Sequence, residues 1–83
     1  MNPPIGQRIR TVRLARQMSQ AQLGASAGFH GNTIKDIEKG YQWCDMIRLG
    51  LLCAALGVTV KAIRSKDWRR LCSDGRISLE PPM

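Results

Sequence analysis

The chain is short of acidic groups, of aromatic side chains and of anything arranged for catalysis. Asp and Glu number 6 against 13 Lys and Arg, which leaves a net charge of +7 and a pI near 10.2. Such a balance favours a polyanion or an anionic surface as partner. The excess is spread along the chain. Residues 1–40 hold six basic and two acidic side chains, and residues 41–83 hold seven and four, so no acidic tail neutralises either half. No stretch resembles a signal peptide or an apolar span, and the expected compartment is the cytoplasm.

Cysteine is sparse and badly placed for metal. Cys44, Cys53 and Cys72 are odd in number and widely spaced, and no CxxC pair or Cys/His cluster offers a zinc site. Reduced thiols are expected, with Cys53 on an apolar helical stripe as a small core residue. Catalytic pairs are missing too. The one histidine, His30, falls in a turn, and Asp36 and Glu38 lie two apart on a helix and so point to different faces. No glycine-rich phosphate loop follows a strand, and no nucleophile stands with a base. The expectation is a protein that is not an enzyme and needs neither cofactor nor metal. Its 83 residues suit one small domain that buries only about 60% of the unfolded surface.

What is present is organised around Ser19–Gly40. Ser19 and Gln22 have the spacing of a capping box, with Met18 and Leu23 placed to close it as a hydrophobic staple. A short helix from Gln20 should stop at Gly28, and a second should run from about Gly31 to Gly40. At 100° per residue Ile34 and Ile37 point inward, while Asn32, Lys35, Asp36 and Lys39 point outward. Those amide, carboxylate and ammonium groups are of the kind that read base edges. Two short helices about a tight glycine-containing turn are the helix-turn-helix pattern.

Around this pair, Pro3 and Pro4 suit a helix start, and Ile5, Ile9 and Val12 face a core from a helix reaching about Arg16. After the loop Tyr41–Cys44, Asp45 should cap a further helix. Met46, Leu49, Cys53 and Leu56 form one apolar stripe on it, and Ile47, Leu51 and Ala55 another, so burial on several sides is expected, one side against the core and the other against a second subunit. Gly50 within it points to close packing. Gly57 ends it, and Thr59 caps a last helix carrying Val60 and Ile63. Beyond Arg64, basic and apolar residues alternate; Asp74-Gly75 reads as a turn between two short strands or Gly75 as the close of a helical extension, with Arg76–Leu79 read as extended.

Residues 5–63 resemble the phage repressor and Cro-type, or XRE-type, helix-turn-helix domain. The resemblance rests on Ile5-Gly6, Arg8-Ile9, Arg13, Ser19-Gln20, Leu23, Gly28, Thr33-Ile34, Ile37-Glu38-Lys39-Gly40 and Ala55-Leu56-Gly57-Val58. It implies an all-α, compact five-helix, lambda-repressor-like domain over residues 1–65, with a tail over 66–83 that could serve dimerisation or a partner. Its third helix would enter the major groove of double-stranded DNA, usually as a homodimer. The resemblance also pairs Arg13 with Glu38, a charge on the inner edge of its helix that needs a partner. Two positions depart from the family: Gln17 stands where glycine is frequent, and Gly31 where a side chain is usual.

The resulting expectation is a sequence-specific transcriptional regulator, such as a phage repressor, a Cro-like protein or a restriction-modification controller. Base contacts are expected from Gly31, Asn32, Thr33 and Asp36. Phosphate contacts are expected from Gln20, Arg8, Arg10, His30, Lys35 and Lys39. The competing expectation is an antitoxin-like interaction module whose tail binds a protein partner.

Overall fold

A computed structural model describes residues 4–72. It contains α1 (Ile5–Ala15), α2 (Gln20–Ala27), α3 (Gly31–Lys39), α4 (Met46–Leu56) and α5 (Val60–Arg64), and helical geometry resumes over residues 70–72. The fold is all-α and compact, and no strand occurs among the described residues. The expected turn at Asp74-Gly75 and the extended segment Arg76–Leu79 lie outside the described residues.

Local chemistry sets the helix ends. Ser19 Oγ accepts from the Gln22 backbone N–H at 3.0 Å, and the Ser19 N–H donates to Gln22 Oε1 at 2.7 Å, completing the capping box. Asp45 Oδ1 accepts from the Arg48 N–H at 2.8 Å, and Thr59 Oγ1 from the Ala62 N–H at 3.0 Å. The turn between α1 and α2 is less comfortable. Gln17 takes φ +59°, a left-handed conformation that costs a residue with a Cβ about 1–2 kcal/mol. This is the position where the family often has glycine.

The core gathers Ile9 and Val12 of α1, Leu23 and Ala27 of α2, Ile34 and Ile37 of α3, and Ile63 of α5 around Leu49, Leu52, Cys53 and Leu56 of α4. Close approach depends on glycine at Gly6, where a Cβ would collide with the carbonyl oxygen of Ile37, so α1 lies directly on the α3 backbone. Burial pushes the Cys53 thiol up to about 11, with nearby Cys44 adding to it. Burial also raises Cys44, with Asp45 adding and Arg48 opposing. All three cysteines are free.

Two expectations need correction. Gly50 serves no close contact, because a Cβ there would meet nothing within 4 Å. The core stripe of α4 is Leu49, Leu52, Cys53 and Leu56, so Leu52 stands in it where Met46 was expected, while Met46, Ile47 and Leu51 leave the second apolar side uncovered within one protomer. Beyond α5, Trp68 is 3% exposed and belongs to the core, and Leu71 and Cys72 pack against the same cluster.

Arg8 of α1 and Arg16, which caps its C-terminal end, hold that segment. Arg8 Nη1 donates to the carbonyl oxygens of Ile63 at 2.8 Å and Ser65 at 3.3 Å, and its guanidinium lies 5.5 Å from the Trp68 ring centroid. Arg16 Nε donates to the Leu56 carbonyl oxygen and its Nη1 to that of Leu71, each at 2.8 Å. Replacing Trp68 with alanine should therefore cost about 3–5 kcal/mol, a large share of a small domain's stability. Gly50→Ala should stabilise the domain by up to about 1 kcal/mol, since nothing opposes the gain in helix propensity. Thermal unfolding followed by circular dichroism measures both; a Trp68→Ala melting temperature equal to the parent's would contradict the packing.

Candidate nucleic-acid interface

α3 is fastened from three sides, and the fastenings decide what it presents. Its N-terminal end is capped by His30, whose Nδ1 accepts from the Asn32 backbone N–H at 3.1 Å. An accepting Nδ1 puts the ring proton on Nε2, the atom left to donate outward. At the other end Gly40 adopts φ +82°, and the Tyr41 N–H donates to the Asp36 carbonyl oxygen at 2.8 Å.

The third fastening is buried. Arg13 Nε donates to Glu38 Oε2 at 2.6 Å, and its Nη2 to Glu38 Oε1 at 3.0 Å, a two-pronged pair in which both side chains are nearly inaccessible. Arg13 Nη1 also donates to the Met18 carbonyl oxygen at 2.7 Å, and Gln20 Nε2 donates to Glu38 Oε1 at 3.0 Å. One carboxylate thus collects donors from α1 and α2 while sitting on α3. Among the described residues it is the one ion pair, and no buried side-chain polar atom lacks a partner. The pairing that the resemblance implies is present in the structure.

Held this way, α3 turns Ile34 and Ile37 into the core and leaves Asn32, Lys35 and Lys39 exposed, with Gly31, Thr33 and Asp36 half-buried along the same outer surface. Asp36 enters no ion pair among the described residues. The Cβ that Gly31 lacks would stand 3.4 Å from the Ala21 Cα, so this position faces α2 as well as solvent. Beside it lies a cavity of about 480 Å³ between the starts of α2 and α3, lined by Gln20, Ala21, His30, Gly31 and Asn32 among others. The first residues of α2 line it, and a helix start favours an anion.

The expected phosphate contacts do not all assemble there. Arg10, His30, Lys35 and Lys39 are exposed. Gln20 is half-buried with its amide nitrogen donating to Glu38. Arg8 is a correction. At 6% exposure its guanidinium is spent on the α5 carbonyls and the Trp68 ring, on the side of α1 that meets the tail segment.

Reading the residues one by one missed a second cavity of about 430 Å³ between α1 and the end of α3, lined by Gln7, Arg10, Thr11, Glu38, Lys39 and Tyr41. Its signal in the sequence is the spacing of Gln7, Arg10 and Thr11 at i, i+3 and i+4, one strip of a helix. Among the described residues no group of three or more His, Cys, Asp or Glu is placed to hold a metal ion. No helix there is long and apolar enough to cross a membrane.

A family model described as helix-turn-helix matches residues 9–63, well over half of the chain and the span from α1 through α5. Comparison with curated proteins and with solved structures returns no match.

The geometry makes the Arg13–Glu38 pair testable apart from any ligand. Glu38→Ala strands a buried guanidinium and frees Gln20, and should cost about 3–5 kcal/mol of unfolding free energy. Chemical denaturation of the variant checks this; a loss under about 1 kcal/mol would mean that the pair does not hold α3.

Proposed function

The chain belongs to the XRE-type helix-turn-helix family, whose members are DNA-binding regulators of transcription, and on that premise we propose that α3 reads operator sequence in the major groove, with the protein acting as a homodimer on a dyad-symmetric site. The observation that carries this reading is the outer face of α3, polar and basic on a helix fixed at both ends and along its inner edge. An α-helix with side chains is about 10–12 Å across and the major groove about 12 Å wide, so the fit requires little else.

The roles follow from reach and charge. Asn32 is suited to a bidentate contact with adenine, and Asp36 to accepting from the N4 amine of cytosine. Asp36 repels phosphate, so it belongs over a base edge. Thr33 meets a thymine methyl or a phosphate, and Gly31 admits close approach of the helix start. Lys35, Lys39, Arg10, His30 and the backbone at Gln20 take phosphates, which position the protein without reading sequence. The dimer reading is supported by the uncovered apolar face of α4, where Ile47 is 77% exposed beside Met46 and Leu51, and by Trp43 at 81% just before it. The same face is what favours the second reading, an antitoxin-like module that binds a different protein there or through its tail.

Selection of bound sequences from random duplex DNA tests the reading directly. Asp36→Ala should relax preference at one base pair by about 1–3 kcal/mol while nonspecific affinity holds or tightens. Lys39→Ala should weaken all sequences about equally. An Asp36→Ala protein that selects the same operator with undiminished discrimination would remove its direct role.

With about six phosphates neutralised per dimer, log K should fall against log salt with a slope near −5. Affinity indifferent to salt would exclude the mechanism. Half-sites should lie about 34 Å apart along the duplex. Sedimentation showing only monomer at high concentration, free and on DNA, would favour the protein-partner module instead.

A further inference from the structure

We propose that the apolar cavity between the start of α1, the end of α3 and the start of α4 binds a small amphipathic carboxylate, with Arg64 of α5 as the partner of its acid group, and that this ligand competes with a second copy of the chain. The ligand site stands apart from DNA reading, while the competition rests on the homodimer reading. The cavity encloses about 620 Å³, within the range of pockets that hold small organic ligands. Its lining is mostly apolar. Ile37 of α3 and Leu49 of α4, both buried, close its floor. Ile5, Met46 and Trp43 stand around them, and Met46 and Trp43 are both exposed. An apolar chain laid between these side chains would take their surface out of water.

The loop that carries Trp43 is tied down, so the exposure of its ring is not the looseness of a free end. Arg48 Nη1 donates to the Trp43 carbonyl oxygen at 3.1 Å, and the Arg48 N–H donates to Asp45 at the start of α4.

The polar groups at the cavity decide the class of ligand. Arg64 is exposed and enters no ion pair among the described residues. Its Nη1 donates to Met46 Sδ at 3.7 Å, and a thioether is a weak acceptor. A carboxylate offers the guanidinium two parallel, charge-assisted bonds in exchange. Asp45 also reaches the cavity, but its carboxylate caps α4, where the helix start offsets its charge. One acid group on an apolar chain fits this arrangement. A cationic head group would meet Arg64, and a second acid group would meet Asp45.

Met46 belongs both to the cavity and to the outward side of α4 that carries Ile47 and Leu51. A ligand covering Met46 and Trp43 therefore occupies surface that a second subunit would bury.

The test uses the full chain, octanoate as probe, and NMR of the two indole N–H groups. The Trp43 signal should move and saturate at millimolar octanoate, while that of Trp68, buried in the core, stays in place. Octanol should bind more weakly and octylamine more weakly still. Hexanoate, two methylenes shorter, should lose about tenfold. Arg64→Gln should weaken octanoate about tenfold and leave octanol unchanged, with the melting temperature at the parent value because Arg64 is exposed. Shifts that never saturate, equal affinity for the three head groups, or an Arg64→Gln protein that binds octanoate like the parent would each overturn the site. Trp43 shifts that follow protein concentration and ignore octanoate would make a second copy the sole occupant and overturn it too.

Sedimentation then reads the competition. Saturating octanoate should move a self-associating protein toward monomer, and a dimer that persists with the Trp43 signal saturated refutes the competition. A protein that is monomeric throughout, yet shows Arg64-dependent octanoate shifts, upholds the ligand site and sinks the homodimer reading alone.

Discussion

The carboxylate of Glu38 is where the domain's geometry is decided. It sits on α3, yet its ligands come from Arg13 on α1 and Gln20 on α2, and Arg13 extends to the Met18 carbonyl in the turn between those helices. A short helix such as α3 has little stability of its own, so its orientation must be imposed by its neighbours. Apolar contact through Ile34 and Ile37 supplies most of the free energy but is tolerant of rotation. The two-pronged ion pair is directional, and it fixes which residues of α3 face out. Burying such a pair stabilises little in net terms, because desolvation cancels most of the attraction. Its contribution is to make other registers expensive, since each would leave a charge buried and unpaired.

The same economy governs the arginines of α1. Four of them occur within nine positions, and a basic chain invites the reading that all reach for a polyanion. Three are turned inward or across the surface: Arg13 to Glu38, Arg16 to the Leu56 and Leu71 carbonyls, and Arg8 to the end of α5 and the Trp68 ring. Arg10 alone of the four is exposed. The net charge of +7 thus overstates the charge free to meet a phosphate backbone, because part of it terminates helices and anchors residues 65–72. Guanidinium suits that task, offering five donors in a plane where helix ends present carbonyls that need them.

What could be read from the residues follows a physical boundary. The box at Ser19 and Gln22, the caps at Asp45 and Thr59 and the stops at Gly28, Gly40 and Gly57 are local, each settled by side chains within four positions. The inward Ile34 and Ile37 and the outward Asn32, Lys35 and Lys39 followed from helical periodicity. Arg8 was misjudged because its partners lie 55 and 57 positions away, beyond any local pattern. The packing of Trp68 depends on α1 coming back against it, which no local pattern shows. Gly50 illustrates the converse: glycine inside a helix signals a close neighbour only if a neighbour is there, and that is a tertiary fact. The cavity beside Tyr41 needed α1 and α3 brought together before its lining existed.

Gln17 shows how these constraints bear on one another. Its left-handed backbone costs free energy that glycine would avoid, and it stands in the turn that sets the angle between α1 and α2. The turn is held on both sides: the Met18 N–H donates to the Arg13 carbonyl oxygen at 3.1 Å, and the Arg13 guanidinium returns to the Met18 carbonyl. Arg13 therefore compensates strain in the turn with one hand of its guanidinium and orients α3 through Glu38 with the other. Loosening the turn would move the start of α2, and with it Gln20 and the backbone donors that border the start of α3. The outer surface of α3, the opening of α2 and the α1–α2 turn are consequently linked through the hydrogen bonds of Arg13 and Glu38. Little ordering is then left to oppose binding, which is the condition under which a surface this small can hold a partner at useful affinity.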